Sequence, residues 1–296
     1  MYRNIVAVVL NYRTPEKTLK CLHSLIDQGI SRIIVVENSE DNGITLEAMQ
    51  IGLNSLMKDN VSITIIDKGK NLGFSAGVNI ALAHENIQKE DAILLINSDA
   101  YLQPNSLKGL VLAIDTGVDI AAPLVKEPGM QPHPPIFYYH KYFSLLTKNN
   151  LPGSFPYITG ACMLISHRIR NPQLFDEDFF FYGEDVMLGA KLRKKGRIYK
   201  IIDSSILVHE GSGSARNGSI FYEYHINRGH WLLAKKLSHN KIDYGISLIG
   251  RIITLSYRAL LRSIRCRNFN PIKGFYKSMH LNKKNNQKIS PSSDII

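Results

Sequence analysis

Short apolar runs alternate with amphipathic segments along the first half of the chain, and this alternation restricts the fold more than any other feature. Five runs are too short for separate helices and predict buried strands: NIVAVVL, RIIVVEN, VSITIID, DAILLINSD and VDIAAPLV. Segments between them show helical periodicity: TPEKTLKCLHSLIDQG, SAGVNIALAHENIQ and PNSLKGLVLAI. Strands that alternate with helices predict an α/β fold, a three-layer α/β/α sandwich around a mostly parallel sheet.

Charge is distributed unevenly along the chain. Residues 231–296 hold 13 Lys and Arg against 2 Asp and Glu, whereas the first 230 residues are balanced at 23 against 23. A protein that coats nucleic acid is basic over its binding domain, so we expect no nucleic-acid partner. No apolar run of about 18 residues free of charge occurs, so we expect no transmembrane helix. The three cysteines lack the paired spacing of a zinc site and fit a reducing cytoplasm.

The same patterns predict the domain organisation. Residues 1–235 are expected to form one α/β domain, residues 236–280 an amphipathic helical region, and residues 281–296 a disordered tail. Within the domain, residues 123–157 are rich in proline and aromatic residues and predict a long loop over one face. A loop of this length in a compact domain is more often a functional lid than a linker.

Polar residues follow four successive predicted strands. They are Asn11-Tyr12-Arg13, Glu37-Asn38-Ser39, the segment DKGKNLGFSAGVN, and Asn97-Ser98-Asp99. Open α/β sheets bind ligands beyond the carboxyl ends of their strands, where these residues are expected to lie. Single Asn, Asp and Gly residues are ordinary in loops. Their recurrence at four strand ends favours a ligand site.

The segment FDEDFFFYGEDVMLGAKLRKKG, residues 175–196, places carboxylates among aromatic side chains. Unpaired buried charge is costly, and a solvated acidic face has no need of phenylalanine. An aromatic wall beside a carboxylate suits a sugar, whose C–H faces stack on rings. Glu184 and Asp185 open a predicted helix that ends at Gly196. Acids at that position also complement the helix dipole, so a catalytic role and a purely structural one both stay open.

Several segments occur in the order found in family-two glycosyltransferases, which the chain resembles from about residue 4 to residue 235. They are VVLNYRTPEKTLKCLHSL, IIVVENSEDN, KNLGFSAGVNIAL, LLINSDAYLQP, YITGACMLISHRI, FDEDFFFYGEDVMLGAKLRKKG and VHEGSGS. Within that family the chain most resembles the bacterial rhamnosyltransferase-like branch. The resemblance implies the GT-A fold, a nucleoside-diphosphate sugar donor, a divalent Mg²⁺ or Mn²⁺ ion, and inversion of the anomeric centre.

By this resemblance Asp99 matches the last Asp of the family's metal motif, and Asn97 stands where other members carry the first Asp. A hard cation with carboxylate and phosphate ligands would neutralise the leaving diphosphate. His209 is a second candidate ligand, with Gly211 and Gly213 allowing close approach, and Glu210 is a weaker alternative. Structural roles stay open, because a strand-end Asp also caps turns and a lone His is often part of a core.

The donor nucleotide and its phosphates are expected to contact the strand-end residues. The candidates are Asn11, Tyr12, Arg13, Glu37, Asn38, Asn71, Gly73, Phe74, Gly77, Asn79 and Asn97. The glycines would let the backbone approach a ligand at a helix N-terminus, or they would pack a strand closely against a helix. Family members often have Asp where Glu37 stands, which leaves the choice between uracil and thymine open.

The resemblance assigns the catalytic base to Asp185. An inverting transfer needs a base that takes the proton of the acceptor hydroxyl as its oxygen attacks the anomeric carbon. Glu184 is expected to position the acceptor or the donor. Met187 stands where the family often has a further acid, so some contact with the acceptor is expected to differ.

The segment IDYGISLIGRIITLSYRALLRSIR predicts an amphipathic helix. At 100° per residue Arg251, Arg258, Arg262 and Arg265 fall within about 60° of one another, opposite a row of isoleucines and leucines. A basic amphipathic helix suits the surface of an anionic membrane. The alternative is a helix that packs on its own domain with the arginines outward.

Together these features predict an inverting, metal-dependent glycosyltransferase that is cytoplasmic and peripheral at the inner face of the cell membrane. It is expected to act on a lipid-linked saccharide in the synthesis of a bacterial surface polysaccharide. A dTDP-rhamnose donor is the first choice and a UDP-hexose the second. The alternatives are a nucleotidyltransferase, which also uses a metal and a nucleotide, and a degenerate, non-catalytic glycan-binding subunit.

Overall fold

The protein is described by a computed structural model that covers residues 5–56, 60–211 and 218–279. Within these residues the chain divides into two compact units. Unit 1 is Met1–Pro135, Thr159–Phe175 and Leu192–Ser214, and unit 2 is Ile136–Ile158, Asp176–Lys191 and Ala215–Ile296. The predicted disordered tail at 281–296 and Gly213 lie outside the described residues.

Strands and helices alternate through the first part of the chain, and helices dominate its end. In chain order the elements are β1 (Ile5–Asn11), α1 (Pro15–Asp27), β2 (Arg32–Glu37), α2 (Ile44–Leu53), β3 (Ser62–Asp67), α3 (Gly73–Leu82), β4 (Ala92–Asn97), β5 (Ala100–Leu102), α4 (Ser106–Asp115), β6 (Ile120–Lys126), β7 (Ile136–His140), β8 (Leu146–Thr147), β9 (Ser154–Ile158), β10 (Cys162–Ile165), α5 (Glu184–Lys194), β11 (Tyr199–His209), α6 (Ile220–Leu237), α7 (Lys241–Cys266) and α8 (Asn270–Ser278).

Unit 1 is built on a mostly parallel sheet. The strand order is β3-β2-β1-β4-β10-β6-β11-β5, in which β10 and β5 run antiparallel to their neighbours. The face that carries Ile5 and Ala7 packs against α1, α2 and α4. Helix α3 packs on the opposite face, where Gly77 meets Leu10. The predicted α/β fold, with helices on both faces of a mostly parallel central sheet, is confirmed.

One helix boundary differs from the predicted one. Helix α4 begins at Ser106, after the expected Pro104, because Asn105 takes a left-handed conformation with φ of 65°. Thr14 stands at the N-cap position of α1, but its hydroxyl donates to Asn11 Oδ1 and does not cap the helix.

The prediction of a long loop at residues 123–157 is wrong. Strand β6 continues to Lys126, and β7, β8 and β9 form an antiparallel sheet in the order β8-β7-β9 in unit 2. Tyr139 and Phe155 lie opposite each other in this sheet, and each is buried between half-exposed neighbours. Pro156 stands inside β9. A proline within a segment argues against a strand, so the alternation of buried and exposed residues in β9 was not recognised in the sequence.

The core of unit 2 joins β7 and β9 to α5 and α6. The buried side chains are Tyr139, Phe155, Tyr157, Phe179, Val186, Leu232 and Leu233. Helix α8 packs closely on α6 at Gly274, where an added Cβ would come within 2.6 Å of the Glu223 Cβ. This close approach leaves the Glu223 carboxylate fully enclosed.

Three of the four arginines of the stripe on helix α7 point inward. Both a stripe on a membrane surface and a stripe turned outward from the domain are therefore wrong. Arg251 is fully buried and donates hydrogen bonds of 2.8 and 2.7 Å to backbone oxygens of unit 2. Arg258 and Arg262 bind the enclosed Glu223 at 2.7 and 2.6 Å. Enclosed carboxylate and carbonyl oxygens require donors, and guanidinium groups supply them. The isoleucines of α7 are exposed instead, and Arg265 is the exposed member of the stripe.

Candidate active site

The ends of the first four strands of unit 1 lie side by side at one edge of the sheet. The pairing register sets Asn11 opposite Glu37, Glu37 opposite Asp67, and Leu10 opposite Asn97. Asn97 is half-buried at the end of β4. The polar residues that follow successive strands in the sequence therefore come together at one edge, as the parallel sheet requires.

Asn11 and Glu37 hold two of these strand ends together. Asn11 Nδ2 donates to Glu37 Oε2 at 2.5 Å, and Asn11 Oδ1 accepts from the Thr18 hydroxyl at 2.6 Å. Glu37 Oε1 accepts from the Ser39 backbone N–H at 2.6 Å. Burial raises the pKa of Glu37, and the hydrogen bonds from Ser39 and Asn11 oppose that rise. Both side chains are buried, and their hydrogen bonds connect the ends of β1 and β2 with α1.

Tyr12 and Arg13 form the accessible part of the same edge. Arg13 has a φ of 54° and its backbone N–H donates to Ser39 Oγ at 2.8 Å. Its guanidinium donates to the Glu40 backbone oxygen at 2.9 Å and lies 5.4 Å from the Tyr12 ring centroid. Both residues are half-buried, which leaves part of each side chain open to a ligand.

The NLGFSAGVN turn is fastened to the end of β2. Asn38 Nδ2 donates to the Gly73 backbone oxygen at 3.1 Å, and Asn71 Oδ1 accepts from the Gly73 N–H at 2.9 Å. Gly73 has a φ of 75°, a conformation that favours glycine. Gly77 serves packing, because an added Cβ would lie 2.9 Å from Leu10.

Asn79 and Phe74 hold the segment that leads to the acidic motif. The Asn79 side chain accepts from the Phe175 N–H at 3.1 Å and donates to the Phe175 backbone oxygen at 2.9 Å. The Phe74 ring meets the Phe175 ring edge-on, with centroids 5.5 Å apart. Asn79 is buried, so these two candidate donor contacts have structural partners within unit 1.

Asp99, in the turn before β5, and His209, at the end of β11, come together. The antiparallel pairing of β5 with β11 sets His209 opposite Ala100, and His209 Nε2 lies 3.3 Å from Asp99 Oδ1. Burial by itself lowers the pKa of His209, but the hydrogen bond and charge of Asp99, helped by Glu127, raise it above its ordinary value. The sequence separates these residues widely, and only the sheet joins them.

The Asp99–His209 pair has the ligand chemistry of a divalent metal site supplied by two protein side chains. A carboxylate and an imidazole suit Mn²⁺ or Mg²⁺ when phosphate oxygens and water complete the shell. Across residues 5–56, 60–211 and 218–279 no group of three or more His, Cys, Asp or Glu could hold a metal. The carboxylate of Glu210, the weaker candidate ligand, instead binds Lys20 at 2.5 Å and Lys17 at 3.7 Å.

In unit 2 the adjacent carboxyl groups Glu184 and Asp185 begin helix α5. Glu184 is buried, and burial together with the charge of Asp185 raises its pKa to about 8. Asp185 is half-buried, and its Oδ1 accepts from the Val186 N–H at 2.8 Å. The turn before α5 packs closely against Gly229 of α6. An added Cβ at Gly229 would lie 2.5 Å from the Tyr182 backbone oxygen.

Phe179, Phe180 and Phe181 of the acidic segment pack within unit 2 and do not form an open wall. Phe179 is buried in the core. Phe180 stacks on His225 of α6 with ring centroids 5.0 Å apart, and Phe181 lies 6.2 Å from Phe221. The aromatic run therefore attaches the start of α5 to α6.

Two other acids in this segment form ion pairs with a lysine that the sequence did not indicate. Asp176 and Asp178 both bind Lys236 of α6, at 2.7 and 2.8 Å. A lysine about sixty residues away carries no local signal of this pairing.

Burial of Glu184 predicts a pH-dependent stability. An acid whose pKa rises on folding binds more protons when folded, so stability should fall as pH rises from about 4.5 to about 8. Glu184→Gln removes this cost and should raise the free energy of unfolding by about 1 to 3 kcal/mol at about pH 8, with little gain at about pH 4. Urea denaturation across pH measures the difference, with the exposed Glu177→Gln as control. A gain that does not vary with pH would contradict the prediction.

Two solved structures with a similar fold hold a nucleotide or a nucleotide sugar together with Mn²⁺. The crystal structure of GalNAc-T7 with UDP, GalNAc and Mn²⁺ matches with a TM-score of 0.60 at 11% identity, over 78% of this chain and 47% of that one, so this chain spans about half its length. The mannosyltransferase PcManGT from Pyrobaculum calidifontis, in complex with GDP-Man and Mn²⁺, matches with a TM-score of 0.55 at 12% identity, over 94% and 84% of the two chains. The fold is that of the GT-A glycosyltransferases.

Sequence matches give the family. Residues 5–171, more than half of the chain, match Glycosyl transferase family 2. An N-acetylglucosaminyl-diphospho-decaprenol L-rhamnosyltransferase of Mycobacterium tuberculosis (strain CDC 1551 / Oshkosh) is 23% identical over 257 residues, which cover 75% of this chain and 80% of the relative. This chain belongs to glycosyl transferase family 2 and is a glycosyltransferase. The resemblance that its motifs indicated is confirmed.

Proposed function

We propose that this glycosyltransferase moves rhamnose, with inversion, from dTDP-rhamnose to a hydroxyl of a lipid-linked saccharide at the inner face of a cell membrane. The observation that supports it most is the Asp99–His209 pair beside the polar strand ends, an arrangement suited to a nucleoside diphosphate. The rhamnosyltransferase relative supports the choice of sugar and of a lipid-linked acceptor. A UDP-hexose donor is the second candidate, favoured by the UDP and GalNAc bound in the GalNAc-T7 structure.

In this proposal unit 1 binds the donor. Tyr12 and Arg13 contact the nucleotide, above the buried Asn11–Glu37 pair that fixes the strand ends. Asp99 and His209 would hold Mg²⁺ or Mn²⁺, which when bound neutralises charge on the diphosphate leaving group. The backbone at the start of α3 offers N–H groups and a helix dipole to phosphate oxygens.

Asp185 acts as the base that takes the proton of the acceptor hydroxyl. Burial, together with the charge of Asp185, raises the pKa of Glu184 and favours its protonated form, which makes it the poorer candidate for the base. Neighbouring carboxyl groups in different environments commonly divide roles in this way. Glu184 positions a substrate or the Asp185 carboxylate.

A donor panel tests the function. The purified chain is incubated with Mn²⁺, a synthetic polyprenyl-diphosphate-GlcNAc acceptor, and either dTDP-rhamnose or a UDP-hexose, and products are identified by mass spectrometry. We expect rhamnose transfer to be fastest. Faster transfer from a UDP-hexose would favour the second donor, and release of inorganic diphosphate from a nucleoside triphosphate would indicate nucleotidyl transfer. The absence of transfer and of donor hydrolysis would support the non-catalytic subunit.

The metal requirement depends on Asp99. Asp99→Asn removes the charged ligand of the pair, so half-maximal transfer should need a much higher Mn²⁺ concentration than in the wild type. A chelator should abolish transfer by the wild type. Glu210→Gln is the matched control, because this acid binds lysines and should leave the metal requirement unchanged. Full activity of the wild type in excess chelator would contradict the metal role.

A further inference from the structure

One face of helix α7 is exposed and mostly apolar along its length, with Ser256 as an exposed polar residue within it. We call it the α7 outer face, and its residues are between 47% and 76% exposed: Ile242, Ile246, Ile249, Ile252, Ile253, Tyr257, Leu260, Leu261 and Ile264. From Ile242 to Ile264 the face runs for about 33 Å at the rise of an α-helix. Continuous apolar surface of this size on a protein marks an interaction site.

The width of the α7 outer face argues against a partner helix. At 100° per residue its members from Ile252 to Leu261 cover an arc of about 180°, wider than the narrow seam of a coiled coil. A helix that lies at a membrane surface presents a broad apolar face of this kind to the acyl chains. In the part of the chain that the structure describes, no helix is long and apolar enough to cross a membrane.

The charges around the α7 outer face favour anionic lipid over a second copy of the chain. Exposed cations stand at its ends and on α8: Lys241, Arg265, Arg267, Lys273 and Lys277. Within the described residues 241–279 the one acid is Asp243, which is half-buried and binds Lys141 at 2.5 Å. Two copies would bring like charges together, whereas anionic headgroups would neutralise them.

Exposed aromatic residues support the same partner. Tyr257 on the face, and Phe269 and Tyr276 beyond it, are 63%, 71% and 63% exposed. Tyrosine, an aromatic side chain with a polar end, is enriched where acyl chains meet headgroups, and Phe269 adds exposed apolar surface.

We propose that the α7 outer face lies in the boundary between headgroups and acyl chains of an anionic membrane, with the lysines and arginines at its ends on lipid phosphates. This inference rests on the membrane attachment in the proposed function and assigns the surface that provides it. The isoleucines enter the lipid. The stripe of Arg251, Arg258 and Arg262 stays inside unit 2 and binds the helix to its own protein.

Vesicle sedimentation tests the surface. The full chain is mixed with vesicles of equal parts phosphatidylcholine and phosphatidylglycerol, and bound protein is measured against lipid concentration. Ile246→Gln/Ile253→Gln should weaken binding by roughly 10- to 100-fold, because two apolar side chains no longer enter lipid. The matched control is Ile44→Gln/Ile51→Gln on α2, where the isoleucines are 69% and 67% exposed, and it should bind as the wild type does.

The charge arm uses Lys241→Gln/Arg265→Gln, the exposed cations at the two ends of α7, which should weaken binding to these vesicles at low salt and matter less at high salt. Equal binding by all variants, or no binding by the wild type, would overturn the proposal. A wild-type dimer that Ile246→Gln/Ile253→Gln converts to a monomer would assign the face to a second copy and would overturn it as well. Donor hydrolysis without vesicles should be unchanged in every variant, so a failure here is separate from a failure of the proposed transferase activity.

Discussion

Asp185→Asn is expected to lower the rate of sugar transfer by about 100- to 10,000-fold, the usual cost of losing a general base. The change is nearly isosteric, so donor affinity measured by calorimetry should stay at the wild-type value. Transfer to the acceptor is then measured with saturating donor. Glu177→Gln, an exposed acid in the same segment, is the control and should transfer at the wild-type rate.

The structural interpretation of Asp185 predicts a different result. An acid at a helix start contributes about 1 kcal/mol or less through the helix dipole, and its loss would leave turnover nearly normal. Asp185 Oδ1 already accepts from the Val186 N–H, so a small loss of stability is compatible with either role. A variant that binds donor and transfers at the wild-type rate would show that Asp185 is not the base. Glu184 would then be the next residue to test.

Arg258→Met/Arg262→Met is expected to lower the free energy of unfolding by about 3 to 5 kcal/mol, because it leaves a buried carboxylate without its cations. Glu223 is fully enclosed between α6, α7 and α8, and its oxygens lie 2.7 and 2.6 Å from the two guanidinium groups. Methionine keeps most of the side-chain volume. Urea denaturation measures the loss, followed by the fluorescence of Trp231, the one tryptophan, which lies on α6.

Two further variants separate the ion pair from the general effect of losing arginines. Arg265→Met removes an exposed arginine of the same helix and should change stability by no more than about 0.5 kcal/mol. Adding Glu223→Gln to the double variant should recover much of the loss, since no charge is then left buried. A double variant as stable as Arg265→Met would show that the ion pairs do not hold the helices together.

The sequence by itself determined the elements of unit 1 and the family. Strands β1, β2, β3, β4 and β6 were predictable because the apolar runs that make them are local. The clustering of polar residues after successive strands followed from the rule that parallel strands end at one edge. The motifs gave the family, and with it the candidate roles of Asp99, His209 and Asp185.

Pairing between distant parts of the chain was decided only by the tertiary structure. β10 is inserted between β4 and β6, and β5 pairs with β11, about one hundred residues away. The β5–β11 pairing brings His209 to Asp99. Other side-chain contacts between distant residues join Asn79 to Phe175 and Lys236 to Asp176. None of these contacts has a local signal, because hydrophobic period and turn chemistry extend over a few residues only.

The orientation of α7 shows this limit most clearly. Its period of about 3.6 residues tells which side chains share a face, and it predicted the helix and its two faces correctly. It does not tell which face meets the protein. The orientation is set by Glu223, which lies 35 and 39 residues before the two arginines that it binds. Buried backbone oxygens that accept hydrogen bonds from Arg251 contribute as well. An enclosed charge costs more than an exposed row of isoleucines, so the arginines turn inward.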